Sequence, residues 1–120
     1  MKHLAIFKGN EAESILSGKQ AVEVRFSKRK DLPFGQIASG DLVYIKPSGK
    51  EIIGQFKVKK VIFYDGLSTD DILEIKNKYR AQLPEVAKYV TLIFIGDSSR
   101  FLTSPIKIRK KDSRTWVVLG

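Results

Sequence analysis

The sequence predicts an α+β fold, a small mixed β-barrel of about six strands with two main helices, in one domain over residues 1–120. Two observations carry this. Segments with period-two or continuous apolar patterning recur along the chain, and only two stretches combine helical period with helix start and stop signals. The length suits one hydrophobic core. Hydrophobic residues make up 42% of the chain, an ordinary share for a folded protein, so disorder is not expected.

Residues 3–7, HLAIF, read as the first strand. Asn10 is placed as a helix N-cap, with Glu13 in capping-box position and Glu11 in the first turn. Ala12, Ile15 and Leu16 form the buried stripe of a helix over about residues 11–17, which Gly18 ends in a left-handed conformation. The helix delivers the chain into a strand over 20–26, with Lys19 at the corner. In that strand Val22, Val24 and Phe26 alternate with Glu23 and Arg25. This is the period of a strand with one face buried, and it sets Glu23 and Arg25 side by side on the other face.

Residues 27–40 are a loop, with Pro33, Gly35 and Gly40 as breakers. Residues 41–46 form a strand, and a tight turn over 47–50 makes a hairpin into a long strand over 51–64. Phe56 and Val58 are out of phase with Val61 and Phe63, which predicts a bulge or bend near Lys59 and Lys60. Ser68 caps the second helix, with Asp71 three residues on. Ile72, Leu73, Ile75, Tyr79 and Leu83 mark its buried side, and Pro84 limits it. Residues 89–95, YVTLIFI, are apolar enough for a central strand, and 96–100, GDSSR, follow as a turn at the barrel rim. Strands over 105–109 and 115–119, joined by a basic turn over 110–113, complete the sheet.

Composition removes several classes of chemistry. The chain has no cysteine and one histidine, His3. A four-ligand zinc site cannot be assembled, a cysteine nucleophile is absent, and a Ser-His-Asp triad would have to use His3 at a frayed N-terminus. No metal site and no cofactor are read. No apolar run approaches the ~20 residues that span a bilayer, and the opening stretch is not a signal peptide. With no disulfides, a reducing cytoplasm is the expected setting.

The net charge of +9 is unevenly spread: residues 19–30 carry +4, 46–60 carry +4, 100–114 carry +5, and 65–85 carry −2. Such a sided molecule suits a polyanionic partner.

The segment Ile15-Leu16-x-Gly18-Lys19-x-x-x-Glu23-x-Arg25 resembles the signature of ASCH domains, small members of the PUA-like superfamily. Gly40-Asp41-Leu42-Val43 resembles the family's second strand after its Gly-Asp turn. The stretch from Tyr89 through Arg100-Phe101 and Pro105 to Trp116-Val117-Val118-Leu119 resembles a common PUA-like ending. The resemblance implies a PUA-like mixed barrel with a cleft beside the first helix, and a role in recognising RNA or modified nucleotides; some ASCH proteins are enzymes. The chain departs from the pattern at one point. Gln20 stands where the family lysine stands, the lysine comes one residue early as Lys19, and Glu23 stands where ASCH enzymes that hydrolyse acetylated cytidine carry a threonine.

The favoured reading is a module that binds RNA or a nucleotide in a basic cleft. Arg25 would hold a phosphate or base edge bidentately, and Glu23 would accept from an exocyclic amino group; pairing of Glu23 and Arg25 only with each other is the alternative. Lys8, Lys19, Ser27, Lys28, Arg29, Lys30 and Arg100 are the further candidate ligand-binding residues. Tyr44, Tyr64 and Trp116 could stack on a base, with core packing favoured for each. A second reading is a hydrolase, either a nucleoside amidohydrolase or a metal-independent ribonuclease. Lys19 would be its nucleophile or base and Glu23 its acid/base. A third is a module meeting an acidic protein partner.

Overall fold

The structure, a computed structural model, describes residues 1–84, 86–103 and 114–120. The apolar periods build six strands into one sheet: β1 (Lys2–Phe7), β2 (Val22–Ser27), β3 (Leu42–Pro47), β4 (Gly54–Asp65), β5 (Tyr89–Arg100) and β6 (Trp116–Val118). Helix α1 (Glu11–Leu16) joins β1 to β2, and α2 (Thr69–Tyr79) joins β4 to β5. The sheet order is β2-β5-β4-β3-β1-β6. Strands β1 and β3 run parallel, and every other neighbouring pair is antiparallel. The sheet curls into a half-barrel, so the α+β barrel predicted from the sequence is the fold observed. The predicted strand over 105–109 and basic turn over 110–113 lie outside the described residues.

Both faces of the sheet are covered, which the alternation in β2 did not convey. On the inner face Phe7, Val43, Ile45, Phe56, Val58, Ile93 and Trp116 pack with Ala12 and Ile15 of α1. On the outer face α2 contributes Ile75 and Tyr79, which pack with Val22, Val24, Leu92 and Phe94. A third cluster joins Leu4, Ile6, Tyr44 and Ile52. Tyr44 and Trp116 are therefore core residues, 7% and 2% exposed.

Other expectations are corrected. His3 is not frayed: it is fully buried in β1. The Trp116 indole N–H donates to its Nδ1 at 3.1 Å, which leaves Nε2–H to donate to the Asp41 carboxylate at 2.8 Å. Residues 96–100 are not a turn but the second half of β5, paired with Gly54–Phe56 of β4. Leu73 is 51% exposed and lies off the packed face of α2.

The two helix starts behave differently. Ser68 and Asp71 exchange both hydrogen bonds of a capping box. The Asn10 side chain makes no cap bond, and Glu13 instead pairs with Arg100 across the barrel. The irregularity expected near Lys59 and Lys60 is present as register shifts between Phe56 and Val58 and between Val58 and Lys60.

Gly54 lets the first helix seat against the end of the β4–β5 pair. A Cβ there would lie 2.5 Å from the Ser99 carbonyl oxygen and 2.9 Å from Leu16 Cδ2. Backbone cannot move aside as a side-chain tip can, so overpacking follows. Gly54→Ala is expected to lower stability by about 1–3 kcal/mol in urea denaturation. Unchanged stability would mean that this end of the barrel yields freely.

Candidate functional site

The α1–β2 corner sets the position of the site. After α1, Gly18 takes φ +80, and the chain reverses through Lys19 and Gln20 into β2. Among the described residues strand β2 pairs only with β5 and is one edge of the sheet. A groove of about 550 Å³ runs beside it. One wall comes from Glu11, Lys19 and Gln20, the floor from β2 with Glu23 and Phe26, and the far wall from the end of α2 with Lys78, Arg80 and Gln82.

Glu23 and Arg25 both lie on the inner face of β2, not on a solvated one. Arg25 Nη2 donates to the carbonyl oxygen of Ile6 at 2.9 Å. Its guanidinium sits 4.9 Å from the Phe7 ring centre and 5.3 Å from that of Trp116. Arg25 Nε is 3.8 Å from Glu23 Oε1, close enough for attraction but too far for a hydrogen bond. The two are therefore not a self-contained pair.

Glu23 is 3% exposed, and its Oε2 has no hydrogen-bond partner. Burial pushes its carboxyl up to about 7 from an ordinary 4.5. Arg25 opposes that shift, the charge of Glu11 adds to it, and the Val24 amide and the Gln20 side chain oppose it further. Gln20 Nε2 also donates to Val22 O at 3.1 Å, so Gln20 organises the strand edge.

The sequence-derived candidates are not gathered in one place. Lys19 and Glu23 share the groove. Ser27, Lys28, Arg29 and Lys30 lie toward the far end of β2, with Ser27 four residues and about 13 Å from Glu23 at ~3.3 Å per residue. There the Ser27 hydroxyl bonds Arg29 O, and Lys30 pairs with Asp65 at 3.1 Å and lies over the Tyr89 ring. Lys8 is exposed between β1 and α1. Arg100 is held by Glu13 and forms no wall of the groove.

Among the described residues, Lys19, Lys78 and Arg80 have no ion-pair partner. Three unpaired cations thus border a groove that also holds Glu11 and Glu23. Lys78, Arg80, Gln82 and Phe26 were not singled out from the sequence. Only the alternation of β2, which sets Phe26 opposite in phase to Glu23 and Arg25, hinted at any of them. No group of three or more His, Cys, Asp or Glu among the described residues is placed to hold a metal ion. No described helix is long and apolar enough to cross a membrane.

No family model matches the chain, and no curated protein does. Solved structures do. A serine-to-alanine variant of the ASCH protein of Zymomonas mobilis aligns with TM-score 0.69 at 19% identity, over 99% of this chain and 88% of that one. A tyrosine-to-phenylalanine variant aligns with TM-score 0.59 at 21% identity, over 82% and 71%. The unsubstituted Zymomonas mobilis ASCH protein aligns with TM-score 0.57 at 21% identity, over 82% and 69%. The fold of this chain is that of the ASCH proteins.

Two outcomes follow from the inner face of β2. The Glu23 carboxyl holds its proton more tightly in the folded state than in the unfolded chain. The stabilisation this gives is complete below about 4.5 and is lost as pH rises through about 7. The loss is on the order of 3 kcal/mol. Glu23→Gln should flatten this dependence in thermal melts across that window, and a variant with the parental pH profile would refute the assignment. Arg25→Lys keeps the charge but loses the planar group on the two rings and its bond to Ile6. A loss of about 2 kcal/mol is expected in denaturant titration.

Proposed function

We propose that this chain, built on the ASCH fold, binds RNA or a nucleotide within it in the groove beside β2. The observation that carries the proposal is Glu23: a buried carboxyl with one unpartnered oxygen, bordering a groove flanked by unpaired Lys19, Lys78 and Arg80. A buried acceptor without a donor is costly, and a ligand that supplies an N–H relieves that cost. The exocyclic amino group or ring N–H of a base supplies one. The phosphates of the same ligand answer the cations at the rim. Arg25 acts through Glu23, which it keeps partly charged, and through the strand it anchors. The 28–30 loop, which follows Phe26 past the end of β2, meets the backbone of the same RNA strand beyond the groove. The absence of cysteine suits a cytoplasmic setting.

A hydrolase is the second reading, and one observation favours it. A carboxyl titrating at about 7 is matched to general acid/base work at neutral pH. Glu23 would move the proton, and Lys19, in the same groove, would act as nucleophile or base.

Fluorescence anisotropy with a labelled single-stranded RNA over a salt series tests the binding reading. Contact of three rim cations with phosphates gives a log–log slope of magnitude about 2, and Lys19→Ala should lower it by ~0.7. Affinity that ignores salt would overturn the proposal. Mass analysis of the RNA after incubation separates the two readings: an altered or cleaved product that Glu23→Gln no longer forms identifies the hydrolase.

A further inference from the structure

We propose that Phe26 and Arg80 form a clamp for one nucleotide of a single-stranded nucleic acid, with Phe26 stacking on the base and Arg80 holding the phosphate. This rests on the nucleic-acid reading of the groove and names two residues that the sequence motif does not contain.

The argument for Arg80 begins with its backbone. It closes α2 at φ +54 and ψ +29, the left-handed region, and is the only non-glycine residue with positive φ among the described residues. Helices commonly end in this conformation, but glycine or asparagine usually occupies it because a Cβ is strained there. Lys76 and Lys78 already supply positive charge to the last turn of α2, so the helix dipole does not require a third cation. No carboxylate among the described residues pairs with Arg80. What arginine adds, at a position that lines the groove, is a planar guanidinium whose donor geometry suits a phosphate.

Phe26 presents the complementary observation. It is 45% exposed, on the outer face of an edge strand, in a groove whose other borders mix charged and apolar side chains. Its neighbours in phase, Val22 and Val24, are packed under α2, whereas Phe26 lies beyond that cover. An exposed ring beside a cationic wall is the arrangement that single-stranded nucleic acids use, because every base offers a π-face whatever its identity. Glu11 and Glu23 border the same groove and disfavour a bare anion there, so a ligand with a base as well as a phosphate is selected.

The test uses the full chain and two fluorescein-labelled probes, a short oligoadenylate and an abasic oligomer with the same number of phosphates. Arg80→Gly should melt at the same or a higher temperature, since glycine relieves the left-handed strain. It should nevertheless bind both probes more weakly, with a salt slope lower by ~0.7. Phe26→Ala should weaken oligoadenylate binding about 5- to 150-fold, the loss of one stacked base, and leave the abasic probe unchanged. If the parent chain binds and both variants bind as it does, the clamp is wrong while the groove reading stands. If Arg80→Gly lowers the melting temperature with binding intact, Arg80 is structural and the clamp is again wrong. A parent chain with no affinity for oligoadenylate overturns the groove reading and the clamp with it.

Discussion

The half-barrel depends on a side chain that spans its open seam. The sheet begins with β2 and ends with β6, and among the described residues no ladder of backbone hydrogen bonds joins those two edges. Arg25 spans the gap. It leaves β2, donates to the carbonyl of Ile6 in β1, and lies against the rings of Phe7 and Trp116 from β1 and β6. A guanidinium suits this place because it is planar and weakly hydrated. It can lie on aromatic faces while its edges still donate. Lysine at 25 would keep the charge and lose the geometry.

That commitment shapes the chemistry of its neighbour. With its guanidinium turned toward Ile6 and the rings, Arg25 is near Glu23 but does not bond it. Glu23 is left in a low-dielectric place with attraction enough to lower the cost of its charge but not to cancel it, which is why its carboxyl titrates near neutrality. A direct bidentate pair would have drawn the carboxyl back down, and no charge at all at 25 would have pushed it higher still. The seam contact and the raised titration of Glu23 are thus one arrangement seen from two sides.

What could be read from the sequence follows how far each feature reaches along the chain. The Ser68–Asp71 box closes within three residues and was legible. Asn10 and Glu13 carry the same spacing, yet no box forms, because Glu13 meets Arg100, 87 positions on. The same reach hid the second half of β5: Gly96-Asp97-Ser98-Ser99 is turn-like by composition, and only its pairing with β4 makes it a strand. In β2 the period was right and the environment was not. Alternation separates two faces but cannot say that the second lies against the barrel interior. The groove was half legible. Lys19 and Glu23 sit in one short motif, whereas Arg80 enters from a helix more than fifty residues later.

The contact between His3 and Trp116 has a consequence for how the protein is made. The two rings meet across 113 positions, and β6 supplies the outer partner of β1. A chain growing on the ribosome has made β1 through β5 before residue 116 appears. Until then β1 presents an unpaired edge and the inner core lacks its largest side chain. Loop-closure entropy across almost the whole length must be met before this contact stabilises anything, which makes it a slow, late step. The nascent protein therefore depends on whatever shields that open edge of β1 until β6 is translated.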